Sequence, residues 1–166
     1  MTTVIFSHGQ ASGPWGSKIC AMSEQARALG CATDSIDYQG MPDPTERVKK
    51  LIAEASGIED QLILVGSSMG AHVATAAAET LGAAGLFVLA PAFFMEDYEE
   101  FTPEPPPMPM CIVHGWRDDI VPVENSIRFA QQCRASLHLI DGDHRLTANI
   151  DEINDYLVKF IARICG

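Results

Sequence analysis

Residues 62–70 read Leu-Ile-Leu-Val-Gly-Ser-Ser-Met-Gly, and this stretch decides the fold class. Its first four residues are apolar without a break, as is typical of a strand covered on both faces of a parallel sheet. The residues that follow, 69–81, are rich in alanine and predict a helix. The pattern Gly66-x-Ser68-x-Gly70 therefore lies between a strand and a helix, where it forms a sharp turn that exposes its serine.

The two glycines of this turn have a steric explanation. The turn forces Ser68 into a strained backbone conformation, and side chains at Gly66 and Gly70 would collide with neighbouring backbone. Ser68 is thereby lifted clear of the sheet edge as a candidate nucleophile, and the amide of Met69 points to where an oxyanion would form. A turn that merely caps an alanine-rich helix is the structural alternative. Ser67 lies off the centre of the motif.

Strand and helix patterns alternate along the rest of the chain. This alternation predicts an α/β fold with a six-stranded, mostly parallel sheet and helices on both faces. A length of 166 residues predicts a single domain, residues 1–166. The most polar strand, 32–37, is expected at the edge of the sheet. The predicted strands are 3–7, 32–37, 62–65, 86–89, 110–113 and 137–140.

Caps and breakers mark the limits of the elements. Ser17 is expected to cap the first helix, and Asp43 followed by Pro44 is a strong start for the second. Residues 97–109 contain five of the ten prolines and four acidic residues, and they predict an extended loop.

Charge and cysteine usage restrict the partners. Eleven basic and 22 acidic residues give a net charge of −11, so neither nucleic acid nor an anionic membrane is an expected partner. The five cysteines have no metal-ligand spacing and predict reduced thiols without a metal site. The N-terminus has no signal-peptide pattern, and the longest apolar stretch, 83–95, is shorter than the ~20 residues that span a bilayer. We expect a cytoplasmic monomer or small homo-oligomer.

A nucleophilic serine needs a base that a third group orients. With this turn motif, the chain order is serine, then an acid, then histidine. A predicted strand ends at His114, and the next loop carries Asp118 and Asp119, while His144 follows the last strand. Both loops leave carboxyl ends of parallel strands, so one of these acids and His144 can converge on Ser68.

Taken in order, these motifs resemble those of the α/β-hydrolase superfamily. The elbow with the Ala90-Pro91-Ala92 turn is most similar to the small lidless bacterial esterases of the YqiA type. The resemblance implies a minimal α/β-hydrolase fold without a cap domain, since 91–109 is too short to form one. The matching motifs, which span nearly the whole chain, are His8-Gly9, Gly66-x-Ser68-x-Gly70, His114-Gly-x-x-Asp118 and Gly142-x-His144.

The resemblance also assigns roles. It places the triad acid at Asp118, with Asp119 as a solvated loop residue, and the second oxyanion donor at the Gln10 amide beside that of Met69. The expected activity is hydrolysis of small or short-acyl carboxylic esters through a Ser-His-Asp triad and an acyl-enzyme, with His144 as base and no cofactor. A thioesterase or small peptidase with the same triad, and a non-catalytic binding module, are the alternatives.

Trp15, Phe93 and Phe94 are the candidate substrate-binding residues. They are apolar and lie near predicted strand ends, where little chain is available to cover them. We expect them to form a small apolar wall of the pocket, and packing against the proline-rich loop is the structural alternative.

The glycine-rich residues 9–16 lack the spacing of a phosphate-binding loop. His8 and His114 are expected to hydrogen-bond loop backbone.

Overall fold

A computed structural model describes residues 1–133 and 135–166, and at residues 99–101 it describes the backbone alone. The strands are β1 (Thr2–Ser7), β2 (Ala32–Ile36), β3 (Gln61–Ser67), β4 (Gly85–Leu89), β5 (Met110–Gly115) and β6 (Ser136–Ile140). The helices are α1 (Ser17–Ala28), α2 (Pro44–Ala55), α3 (Met69–Ala78), α4 (Val123–Cys133) and α5 (Ile150–Cys165).

The six strands form one sheet in the order β2-β1-β3-β4-β5-β6. Every neighbouring pair is parallel, so the predicted α/β fold is confirmed and the sheet is parallel throughout rather than mostly parallel. The polar strand β2 lies at one edge, as predicted, because only one of its sides pairs with another strand. Strands β4 and β5, which each pair with a strand on both sides, are buried at every residue, which explains their unbroken apolar runs.

Side chains alternate between the two faces of the sheet and form two apolar layers. One layer packs β1 residue Ile5 with residues of α2, α3 and α4, such as Leu51 and Phe129. The other packs Phe6 with residues of α1 and α5, such as Met22. Helices therefore cover both faces, and the loops at the carboxyl edge of the sheet remain free to form a site.

One of the two predicted caps is confirmed and the other is wrong. The Asp43 carboxylate accepts a hydrogen bond from the Thr45 amide at 2.9 Å, and α2 begins at the following proline. Ser17, by contrast, is already the first residue of α1. The N-cap is Gly16, whose carbonyl accepts from the Cys20 amide, so the Ser17 side chain is not used as a cap.

Residues 90–109 connect β4 to β5. Within the loop expected over 97–109, the backbone forms one 3₁₀ helix, Glu96–Phe101, which the proline content does not predict. Among the described residues there is no cap domain, as the family resemblance implies. The Tyr98 hydroxyl donates to Gln10 Oε1 at 3.5 Å, so this connection touches the loop after β1. None of the helices in the described part of the chain is long and apolar enough to cross a membrane.

Candidate active site

Ser68 occupies the sharp turn between β3 and α3. Its backbone has φ 56° and ψ −119°, a conformation that costs free energy for a residue with a side chain. Two hydrogen bonds tie it to β4 and the turn that follows β4: the Ser68 amide donates to the Leu89 carbonyl at 2.9 Å, and the Ser68 carbonyl accepts from the Ala92 amide at 3.1 Å. The strain expected from the sequence is confirmed, and neighbouring strand β4 stabilises it.

The glycines on either side of Ser68 lie against backbone. A Cβ atom at Gly70 would stand 2.5 Å from the His8 carbonyl oxygen and closer still to that of Ser7. A Cβ atom at Gly66 would stand 2.6 Å from Ala71 Cα. Real Cβ atoms do not approach backbone this closely, so the predicted steric role of both glycines is confirmed.

We expect Gly70→Ala to lower the free energy of unfolding by about 3 kcal/mol or more, because α3 must move away from β1 to admit the methyl group. Gly57→Ala is the matched control, since no atom lies within 4 Å of a Cβ at Gly57. That control should stay within about 0.5 kcal/mol of the parent chain. Urea unfolding measures both, and equal stability of the two variants would contradict the packing described.

The structure brings Ser68, His144 and Asp118 into one chain of hydrogen bonds. His144 Nδ1 lies 2.8 Å from Asp118 Oδ2, and His144 Nε2 lies 3.1 Å from Ser68 Oγ. A carboxylate only accepts, so the geometry assigns the ring proton to Nδ1. Nε2 is then unprotonated and accepts from the Ser68 hydroxyl, which is the arrangement that a general base requires.

Of the two adjacent acids, Asp118 has the buried and hydrogen-bonded side chain, while Asp119 is exposed. The Asp118 side chain is fully buried, and its Oδ1 accepts from the amides of Ile120 at 2.9 Å and Val121 at 2.8 Å. Burial alone would raise the pKa of the Asp118 carboxyl, but hydrogen bonds from His114, His144 and these amides outweigh it and hold that pKa below its usual value. The carboxyl is therefore ionised wherever His144 can act as a base.

Asp118 also accepts from a second histidine. His114 Nε2 lies 2.9 Å from the same Oδ2 atom, and Nδ1 of this buried ring accepts from the Ser126 hydroxyl at 2.6 Å. The backbone contact expected from the sequence is present as well, at 3.1 Å to the Val121 carbonyl. Sequence reasoning missed the contact with Asp118, although a histidine four residues before the acid was a usable signal.

Close backbone contact brings the loops of Asp118 and His144 together. A Cβ atom at Gly115, where β5 ends, would stand 2.6 Å from the Gly142 carbonyl carbon. The Arg117 amide donates to the Gly142 carbonyl at 3.0 Å. These contacts tie the loop after β5 to the loop after β6, so that the carboxylate and the imidazole are held at hydrogen-bond distance.

Buried Arg47 holds the loop after β1. Its guanidinium donates to the carbonyls of Met41 at 2.7 Å, His8 at 3.0 Å, Gly9 at 3.2 Å and Gln10 at 3.5 Å. Sequence reasoning missed Arg47. The signal was its helical spacing, which places it on the same buried face of α2 as Leu51 and Ala55.

The contact between Arg47 and Gly9 fixes the direction of the next amide. Because a trans peptide is planar, its N–H points away from its carbonyl. With the Gly9 carbonyl directed at Arg47, the Gln10 N–H points to the opposite side of the loop. The loop packs against the elbow, since a Cβ atom at Gly9 would lie 3.6 Å from Ser68 Cβ. The Met69 amide, at the first position of α3, has no intrahelical acceptor.

His8 has the structural role expected of it. Nδ1 lies 2.7 Å from the Gly9 carbonyl and donates to it, and Nε2 accepts from the Tyr38 amide at 2.8 Å. Burial lowers the pKa of His8, and the charge of Arg47 acts in the same direction. The neutral ring thus crosslinks the loop after β1 to the end of β2.

A cavity of about 620 Å³ opens beside Ser68 and His144. The larger part of its lining is apolar, with contributions from Ile19 and Met22 of α1, and polar side chains complete it. The polar side chains include Gln10, Lys18, Ser67, Asp119, Asp143 and Arg145.

The three predicted substrate-binding residues lie outside this cavity. The prediction that Phe93 binds substrate was wrong, because its side chain is buried in the layer between β4 and α4 and has no exposed surface. Its ring stacks on that of Phe129, with ring centroids 4.0 Å apart. Phe94 lies under the Arg128 guanidinium, 3.8 Å from its ring centroid. Trp15 is 45% exposed on the surface. The apolar wall expected of these residues is therefore not part of this cavity.

The comparisons with known proteins agree with this geometry. A family model described as alpha/beta hydrolase domain matches residues 1–155. No curated protein matches the chain.

Several solved structures are similar to it. A protein of the alpha/beta hydrolase superfamily from Xanthomonas campestris pv. campestris shares 26% identity at a TM-score of 0.90, covering 97% of this chain and 98% of that one. Est1E from Butyrivibrio proteoclasticus shares 19% sequence identity at a TM-score of 0.84, and the match covers 99% of this chain and 88% of Est1E. A second X. campestris protein, described as an α/β serine hydrolase without lid, shares 20% sequence identity at a TM-score of 0.82. The match covers 98% of this chain and 81% of that protein. The described residues form no cap domain, and the chain belongs to the alpha/beta hydrolase family.

Proposed function

We propose that the chain is a serine hydrolase that cleaves small carboxylic esters. The observation that carries this proposal is the unbroken hydrogen-bond chain from Ser68 through His144 to Asp118, with distances of 3.1 Å and 2.8 Å. A hydroxyl bonded to an unprotonated imidazole can lose its proton as it attacks a carbonyl. The neighbouring cavity gives the carbonyl a place next to that hydroxyl.

The reaction follows from the positions of these groups. Ser68 Oγ attacks the ester carbonyl while its proton passes to His144 Nε2, and the imidazolium is stabilised by the Asp118 carboxylate. The proton then goes to the leaving alcohol oxygen, which leaves an acyl group on Ser68. Water, deprotonated by the same imidazole, hydrolyses this acyl-enzyme. The amides of Met69 and Gln10 donate to the oxyanion in both steps.

The proposed substrates are small because the described residues form no cap domain that could enclose a long acyl chain. A volume of about 620 Å³ accommodates a small ester together with a substituent. The lining combines apolar side chains such as Ile19 and Met22 with charged ones such as Lys18. A short acyl group that carries a polar substituent matches this mixed lining.

Labelling with a fluorophosphonate tests the proposal, because this probe reacts with activated serine hydroxyls. We expect one phosphonyl group per chain, located at Ser68 by peptide mass spectrometry. Turnover of 4-nitrophenyl acetate, an acyl-thioester and an aminoacyl amide then ranks the leaving groups, since the same triad could serve all three. Absence of labelling, together with absence of turnover, would favour a binding module instead.

Arg47 gives a test of the oxyanion donors. We expect Arg47→Lys to lower kcat by up to about 10²-fold with little change in KM, because a single ammonium cannot hold the Gly9 carbonyl and the other acceptors at once. The Gln10 amide would then turn away from the oxyanion. Arg163→Lys, at an exposed position of α5, is the matched control.

Steady-state kinetics measures kcat and KM of Arg47→Lys and of the control, and circular dichroism checks that both variants are folded. Unchanged kcat in Arg47→Lys would mean that the loop after β1 keeps its shape without the guanidinium.

A further inference from the structure

We propose that the cavity beside Ser68 selects esters that carry a carboxylate, with the ammonium group of Lys18 as its partner. This inference rests on the proposed ester hydrolysis and names the class of substrate. It assigns the selection to a charged side chain instead of the aromatic residues that the sequence predicted, which do not line the cavity.

Lys18 is placed next to the nucleophile. It is the second residue of α1, and its Nζ atom lies 3.4 Å from the Ser67 hydroxyl oxygen. Ser67 directly precedes Ser68, and the Cα atoms of neighbouring residues are about 3.8 Å apart. Both Lys18 and Ser68 line the same cavity. A carboxylate bound by this ammonium would thus lie only a few bonds from the carbonyl under attack.

The Lys18 ammonium forms no ion pair with the described residues. Within the described residues, no carboxylate oxygen lies within 4.0 Å of Nζ, although the chain has 22 acidic side chains against 11 basic ones. Burial lowers the pKa of Lys18 to about 8, with partial compensation from Asp143. Among the described residues the hydrogen-bond partner of this half-buried ammonium is the Ser67 hydroxyl, so its charge is poorly solvated. A substrate carboxylate would lower the free energy of the buried charge.

Other charged groups around the cavity leave Lys18 available. Asp119 and Asp143 are exposed at the cavity wall, and Asp143 Oδ1 already accepts from the Leu146 amide at 2.9 Å. Arg145 is a second cation at the same wall and offsets these acids. His8, with its lowered pKa, stays neutral and adds no competing charge. With the two exposed acids offset by Arg145, a bound carboxylate would meet Lys18, the deeper of the two cations.

Matched pairs of esters test the proposal. In the first pair the carboxylate is on the acyl side: mono-4-nitrophenyl adipate against its methyl ester. In the second it is on the alcohol side: 3-acetoxybenzoate against its methyl ester. We expect wild-type enzyme to have the higher kcat/KM for the carboxylate form in at least one pair. That pair identifies whether Lys18 binds a carboxylate on the acyl side or on the alcohol side of the ester.

Lys18→Gln should reduce that preference about tenfold or more, the effect expected for loss of a hydrogen bond between charged groups. Lys18→Arg keeps the cation and should retain part of the preference. Lys49→Gln removes the same charge from an exposed position of α2 and should leave the preference unchanged. An equal preference in wild type and Lys18→Gln would overturn the proposal.

The pH dependence has a defined sign. Lys18 is charged below its pKa of about 8 and neutral above it, so the preference for the carboxylate form should fall as the pH rises through about 8. The ratio of kcat/KM within each pair cancels the titration of the catalytic groups. A ratio that is constant from pH 6.5 to 9.5 would count against Lys18 as the partner.

Failure of the ester hydrolase proposal would look different. In that case neither member of a pair is hydrolysed and the fluorophosphonate does not label Ser68. Calorimetric titration with adipate, which needs no turnover, still decides the role of Lys18. Binding that is lost in Lys18→Gln and kept in Lys49→Gln supports the carboxylate site, and equal behaviour of all three proteins overturns it.

Discussion

Ser68→Ala is expected to reduce kcat by about 10⁴-fold or more, as loss of the nucleophile does in triad hydrolases. The physical reason is that no other hydroxyl lies in the strained turn with its oxygen 3.1 Å from His144 Nε2. The substitution to alanine removes one oxygen atom and leaves the turn, with its φ of 56°, in place. Stability should therefore change little while activity is lost.

Ser67→Ala is the matched control for this prediction. Its hydroxyl accepts from Lys18 rather than bonding His144, so its loss should cost about tenfold at most. Both variants are measured by 4-nitrophenyl acetate hydrolysis and by fluorophosphonate labelling. Full labelling of Ser68→Ala, or a larger loss in Ser67→Ala, would place the nucleophile elsewhere.

Asp118→Asn is expected to lower kcat by up to about 10⁴-fold, because an amide selects the wrong imidazole tautomer. Oδ2 of Asp118 accepts from both His144 and His114, so a carbonyl or an NH₂ group at that position must serve two rings at once. Where the NH₂ group faces His144, Nδ1 must accept and Nε2 then holds the proton. The base that receives the Ser68 proton is thereby lost.

Asp119→Asn removes the same charge one residue away. Asp119 is exposed and lies at the cavity wall, so its variant should remain within about tenfold of wild type. Steady-state assays at pH 8 compare kcat of Asp118→Asn with kcat of Asp119→Asn, and unfolding curves check that both variants are folded. Reversed magnitudes would move the acid of the triad to Asp119.

Much of the fold and the order of the site residues could be predicted because they depend on local patterns. The elbow of Ser68 depends on glycine sterics, and parallel strands bring the loops of Asp118 and His144 to one edge. The choice of Asp118 over Asp119 was harder, since it depends on how the loop after Gly115 packs on Gly142. Only tertiary contact settles which carboxylate turns inward.

Predictions about the cavity were less successful for a physical reason. Phe93 follows a strand end and is apolar, and the sequence pattern alone does not distinguish a residue facing solvent from one buried under α4. Arg47 and Lys18 are charged, so composition assigns them to the surface, yet their surroundings draw one into the interior and the other into the cavity. Such placements depend on packing between distant segments.

The site is distributed over separate connections at one edge of the sheet. Gln10 follows β1, Ser68 follows β3, Asp118 follows β5 and His144 follows β6. Natural selection can therefore alter one connection without moving the others, because each is anchored in its own strand. Changes confined to residues 11–18 would alter the proposed substrate preference and leave the triad in place. Paralogues with the same elbow and different first loops are the expected products of such divergence.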